Sequence, residues 1–198
     1  MPAWPGGNAT GFSDVLADLS SKFVGFAEQP ARPGTAISYL WHTAWPDGQN
    51  RFQTTERAAQ SSGVELISRG ISEIDEENDA ITLMKDSGVQ VLIIQPSPFT
   101  YRHRNRLIGS AVNHDLGPVV AWPPSAREHA LIGYGPDYVY MYGQVGSYIS
   151  RILKGAKPAD LPVQEPTKFQ LVTNLKTAKT LGLAVPASLL GASDEVIE

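Results

Sequence analysis

Val89–Gln95 reads VQVLIIQ, and its unbroken apolar centre constrains the fold more than any other stretch. A strand with one wet face alternates apolar and polar residues. A strand that is apolar at every position is covered on both faces, as in a parallel sheet flanked by helices. The neighbouring text supplies those helices. Gln49–Ser62 reads as a helix closed by Gly63, followed by a strand at Val64–Ser68. A further helix runs to about Lys85, with Ile74, Ile81 and Met84 inward, and a capping arrangement at Ser72–Asp75 with Asp in place of the usual Glu or Gln. Ser97-Pro98 then starts a helix to about His114, with Ser97 as N-cap and Pro98 at the first helical position.

The rest of the chain continues the alternation. Ser13 is placed to cap a helix over Asp14–Glu28, and Thr35–Trp41 is a buried type of strand. Strands are expected at Val119–Trp122 and Leu131–Gly133, with a break at Pro123-Pro124-Ser125. Gly135-Pro136-Asp137 opens a helix to Lys154, with Tyr138, Tyr142, Val145, Ile149 and Ile152 at helical spacing. Gly155 and the prolines after it end that helix; Phe169–Thr173 is a strand, and Asn174 caps a last helix closed by Gly182. Residues 192–198 are read as a tail. Alternating strands and helices predict an α/β fold with a doubly wound parallel sheet and right-handed crossovers.

Composition excludes some functions. The 198 residues carry a net charge of −4, which argues against a nucleic-acid partner, and the absence of cysteine rules out disulfides and thiolate chemistry. The histidines His42, His103, His114 and His129 have no metal-binding spacing, and no phosphate-loop, dinucleotide or nucleophile-elbow motif is present. No cofactor, no metal and no catalytic residue is expected. The basic cluster Tyr101–Arg106 and the carboxylates of Asp75–Glu77 and Asp194-Glu195 read as solvated or dipole-favoured charge.

Three blocks resemble one known family. They are "PGGNATGFSD" at Pro5–Asp14, "GYGPD" at Gly133–Asp137, and a C-terminal text comprising "ILKGAKPADLPV", "PTKF", "NLKTAK", "LGL" and "DEVIE". Their order and spacing resemble the substrate-binding proteins of ABC transporters of the tryptophan/tyrosine-binding type. That resemblance implies a type I periplasmic-binding fold, with two α/β lobes joined by crossing strands around a small-molecule solute. It also implies an ABC permease as partner and a periplasmic location. The start of the chain has no basic n-region and no apolar h-region, so a genuine start here means a cytoplasmic protein. In the family a first segment, most of the N-terminal lobe, precedes the PGGN block, so the chain reads as a shortened member. The expected division is an extended crossing at 1–12, a complete α/β lobe at 13–125, and a partial second lobe with hinge crossing and tail at 126–198. An exposed sheet edge at 169–173 would suit a homodimer.

Ligands of open parallel sheets bind beyond the carboxyl ends of the strands. This rule selects Trp41 and His42, Ser97 and Phe99, and Trp122. Tyr134 joins them as a stacking residue, and Ser13 and Asp14 join through the resemblance. Where many family members have "PDP", this chain has Pro96-Ser97-Pro98, which weakens recognition of a ligand ammonium. The expected function is solute binding for an importer, for an amino acid or an aromatic acid. The alternatives are a non-binding remnant of such a protein and a Rossmann-like enzyme.

Overall fold

The computed structural model describes residues 6–198. The expected extended segment at 1–12 is therefore seen from Gly6 onward, and residues 1–5 lie outside the described residues. In chain order the elements are α1 (Ser20–Glu28), β1 (Ile37–His42), α2 (Gly48–Ser62), β2 (Leu66–Ile71), α3 (Glu77–Asp86), β3 (Val91–Ile94), α4 (Pro98–Arg102) and α5 (Arg104–Asn113). They continue with β4 (Gly117–Val120), α6 (Pro124–Glu128), β5 (Ile132–Pro136), α7 (Tyr138–Leu153), β6 (Phe169–Asn174), α8 (Leu175–Thr180), α9 (Ala187–Ala192) and β7 (Glu195–Ile197).

The strands form one seven-stranded sheet in the order β2-β1-β3-β4-β5-β6-β7. The pairs β1/β2, β1/β3, β3/β4, β4/β5 and β6/β7 are parallel. β3 is buried at all four positions, as its apolar run demands. From β1 the chain steps outward to β2, then crosses back over β1 to β3. Right-handed crossovers in opposite directions put α2 and α3 on opposite faces. Accordingly α1 packs with α2, and α3 packs with α5. The reversal makes the gap between β1 and β3 the switch point of the sheet.

The GYGPD block has a steric explanation. A Cβ on Gly135 would come 2.2 Å from the Ala121 carbonyl oxygen, and one on Gly133 would come 2.7 Å from Pro123 Cα. Both glycines let β5 approach the backbone at the end of β4. Asp137 then caps α7 by accepting the Tyr140 N–H at 2.9 Å.

Several expectations are corrected. The first helix does not begin at Ser13: the Ser13 hydroxyl accepts the Val15 N–H, and α1 starts at Ser20 after a 3-10 turn at Leu16–Leu19. Val15 interrupts it with φ 48°, a left-handed conformation that is costly for a β-branched residue. The helix expected at 98–114 is two helices, because His103 departs from helical geometry (φ −102°, ψ 14°). The capping box sits one residue later than expected, between Glu73 and Glu76. The break of the strand at 123–125 holds, and α6 starts within it. The "tail" ends as β7, paired with β6 from Val172↔Glu195 to Asn174↔Ile197. Strand β6 is therefore flanked by β5 and β7 and is not an exposed edge.

The chain divides into two compact units, which differ from the lobes expected at 13–125 and 126–198. One unit is the described part of Met1–Val15 together with Pro136–Phe169. The other is Leu16–Gly135 with Gln170–Glu198, so the sheet-bearing unit also takes in β5 and the C-terminal strands. The smaller unit is built on α7. Tyr148 packs its ring 5.0 Å from Phe12 and donates its hydroxyl to the Pro162 carbonyl at 2.8 Å. A parallel bridge between Phe12 and Gln164 ties its two segments.

Charge fixes the new strand. Arg127 of α6 grips both carboxylate oxygens of Glu195, its Nε lying 3.0 Å from each. The hydrogen bonds from Arg127 hold the Glu195 carboxyl below the usual carboxylate range. Asp194 accepts the Leu171 N–H at 2.8 Å, so neither residue of this pair is merely solvated charge. A depressed folded value means the contribution of Glu195 is complete above the ordinary carboxylate range and is lost as pH falls through it. Both side chains are more than a third exposed, so screening keeps the pair to about 0.2–1 kcal/mol. Urea denaturation of Glu195→Gln should show that deficit at neutral pH, and the gap to the parent chain should close below roughly pH 4.

Candidate functional site

The carboxyl ends of β1 and β3 meet at the switch point. Register Leu40↔Ile94 brings His42 and Gln95 to the rim. Gln95 is fully buried and joins three segments. Its N–H donates to Leu40 O (2.9 Å), its Oε1 accepts the His42 N–H (3.3 Å), and its Nε2 donates to Gly48 O (3.0 Å) at the start of α2. A Cβ on Gly48 would lie 2.3 Å from the His42 carbonyl oxygen, so glycine permits this approach. Burial pushes the Tyr39 phenol of β1 above its ordinary range, against hydrogen bonds from Thr55 and Gln95 and the charge of Arg51.

On this frame sits a stack of rings. His42 lies face to face with Phe99, centroids 4.2 Å apart and planes 8° apart. Phe99 also meets His103 at 4.9 Å. The loop between β3 and α4 holds Phe99 in place. Ser97 Oγ accepts the Thr100 N–H (3.1 Å), and the Ser97 N–H donates to Thr100 Oγ1 (3.0 Å). Ser97 is buried, and this reciprocal cap occupies its hydroxyl. Beside the stack, Trp122 packs against Tyr101 at 5.1 Å, and the Arg104 guanidinium lies over the Tyr101 ring at 4.6 Å.

The selected residues therefore separate. His42, Ser97 and Phe99 come together at the switch point. Trp41 stacks on Phe52 of α2 (5.3 Å, 5°). Tyr134 is buried against α1, edge-on to Phe23 and Phe26, and its hydroxyl accepts a hydrogen bond from Lys22 at 2.8 Å. Ser13 and Asp14 belong to the smaller unit, where the Ser13 N–H donates to Gln164 O at 2.9 Å. The residue that sequence reasoning left out of the site is Gln95. Its signal was a polar side chain closing a wholly apolar strand. Arg51 is a second omission: its Nε pairs with Asp47 at 2.8 Å and its guanidinium covers Trp45 at 4.8 Å. Among the described residues no cluster of His, Cys, Asp and Glu could hold a metal ion, and no helix is long and apolar enough to cross a membrane. The basic cluster is not wholly solvated, because Arg106 pairs with Glu77 (2.8 Å) and Asp75 (2.9 Å).

This arrangement is a half-buried aromatic wall on a rigid hydrogen-bonded rim. Comparison with known proteins bears on the fold and the family. The fold is similar to the ABC domain from Streptococcus pneumonia solved with L-Trp (TM-score 0.83, 22% identity, 100% of this chain and 66% of that one). It is also similar to a conserved domain protein from Vibrio cholerae (TM-score 0.81, 18% identity, 97% and 64%). These neighbours have the type I periplasmic-binding fold. The family model for ABC transporter substrate binding proteins matches residues 3–197, and the chain belongs to that family. A tyrosine-binding protein of Clostridioides difficile is 24% identical over 181 residues, which are 90% of this chain. The chain spans about half the length of that curated relative (51%).

Proposed function

We propose that this protein is the solute-binding component of an ABC importer. It takes a small organic solute against the wall formed by His42 and Phe99. The observation that carries this reading is the stacked ring pair at the switch point, where open α/β sheets bind ligands. A planar solute extends such a stack edge-on or offset. The tyrosine-binding relative and the neighbour solved with L-Trp support an aromatic amino acid or a related acid. The loops Trp41–Thr43, Gln95–Phe99 and Trp122–Ser125 carry no carboxylate to meet an ammonium. That favours small aromatic acids over zwitterionic amino acids. The role is binding without covalent chemistry, in the periplasm, with delivery to a permease.

Thermal shift and calorimetry against a panel of amino acids and small aromatic acids test the proposal. A micromolar solute is expected, and at a hundredfold excess over its Kd it adds about 2.7 kcal/mol of stability. A folded chain whose melting temperature no panel member raises would refute it.

A further inference from the structure

Phe99 meets two half-buried histidines, His42 at 4.2 Å and His103 at 4.9 Å. Among the described residues neither imidazole makes a hydrogen bond through its ring nitrogens. His114 is the contrast. Its Nδ1 lies 2.8 Å from Ser110 O and its Nε2 lies 3.3 Å from Thr82 Oγ1, so both nitrogens brace α5 and α3. The two histidines of the ring stack keep their polar atoms open beside an apolar surface.

The backbone of His103 is fixed at the junction of α4 and α5. Its N–H donates to Phe99 O at 3.1 Å, and its carbonyl accepts the Leu107 N–H at 3.0 Å. The imidazole carries at least one N–H donor in either protonation state. Its chain neighbours are Arg102 and Arg104, and among the described residues neither pairs with a carboxylate. Arg104 instead lies over the Tyr101 ring at 4.6 Å and donates to Tyr101 O at 3.1 Å. Arg106, further along, is neutralised by Glu77 and Asp75. The open positive charge of this cluster therefore sits at the end that touches the ring stack. Unpaired guanidiniums beside an open imidazole donor suit an anion with acceptor oxygens.

We propose that His103 receives the carboxylate of the solute whose ring packs against His42 and Phe99, with Arg102 and Arg104 supplying the charge that selects an acid over its neutral analogue. This role presupposes the ring wall as the binding surface and adds the residue that reads the acid. At 4.9 Å from Phe99, the His103 ring is within reach of a carboxylate carried on a ring seated there. The nearby acidic side chains do not compete for the donors: Asp47 is held by Arg51, and Asp75 and Glu77 are held by Arg106. His103 is then a specificity-determining contact, and the wall itself contributes affinity without regard to charge.

The test is calorimetric titration with 4-hydroxyphenylacetate and with its uncharged amide, on the full chain. The parent chain should bind the acid at least about tenfold more tightly than the amide, the scale of one hydrogen bond to a charged group. His103→Ala should remove that preference by weakening the acid alone, and His103→Lys should restore it by returning a cationic donor. Equal affinity for acid and amide in the parent chain would overturn the proposal. So would a preference that survives His103→Ala, or one that His103→Lys does not restore. The two levels of the reading fail differently. If Phe99→Ala weakens both compounds while His103→Ala changes neither, the wall stands and the role of His103 falls. If the parent chain binds neither compound, or Phe99→Ala changes neither affinity, the wall falls and the role of His103 falls with it.

Discussion

Gln95→Leu should lower stability by about 2–4 kcal/mol and abolish solute binding at the switch point. The glutamine is fully buried, and leucine of similar size leaves the His42 N–H without its acceptor and removes the bond to the Gly48 carbonyl. Each unsatisfied buried group costs about 1–3 kcal/mol, partly regained by leucine's apolar burial. The functional loss follows from geometry. The backbone bond from residue 95 to Leu40 O remains, but without the amide side chain the His42 N–H and the start of α2 lose their tie to the end of β3, so the His42 ring loses its fixed relation to Phe99. Gln95→Glu separates the two effects, since it keeps the acceptor for His42 and removes the donor to Gly48. Denaturant unfolding with calorimetry on both variants checks this. Full stability in Gln95→Leu would show that the rim does not depend on this side chain.

Ile93→Ala should cost about 2–5 kcal/mol, a large share of a typical domain's stability. Ile93 is 1% exposed in the middle of β3, between β1 and β4 and under helices on both faces. The cavity has no solvent-facing side to collapse from. At roughly 2–4 °C per kcal/mol for a chain of this size, the melting temperature should fall by about 4–20 °C. The control is Leu83→Ala on α3, where a leucine that is 51% exposed should change stability by no more than about 0.5 kcal/mol. Equal losses at the two positions would mean that β3 is not the centre of the core.

The same strand shows what can be read from sequence. VLII is buried because four successive apolar residues admit no wet face, so its place in a covered parallel sheet is a local property. The last strand is the opposite case. Glu195-Val196-Ile197 has no such signature. It becomes β7 through β6 as template, the Arg127 grip on Glu195 and the Asp194 bond to Leu171. These contacts come from residues far away in sequence, and the text of the tail does not contain them. Val15 is similar, since no composition rule places a β-branched residue in a left-handed conformation.

The site divides along the same line. The strand-end rule found His42 and Phe99 because it needs only the order of strands and loops. Tyr134 was added only as a stacking aromatic, and its hydroxyl is taken by Lys22 and its ring is buried on α1. Which face of a strand a ring occupies depends on the helix laid over it. The importance of Gln95 depends on how closely α2 approaches β1, which Gly48 sets.

The most direct measurement is calorimetric titration of the parent chain, Phe99→Ala and Glu195→Gln with the best solute from the panel. If the ring wall binds the solute, Phe99→Ala should weaken affinity at least about tenfold, the equivalent of losing roughly 1.4 kcal/mol of contact. Glu195→Gln, at the far edge of the sheet, should leave affinity unchanged. Equal affinity in the parent chain and Phe99→Ala would contradict the assignment of the site to the carboxyl ends of β1 and β3.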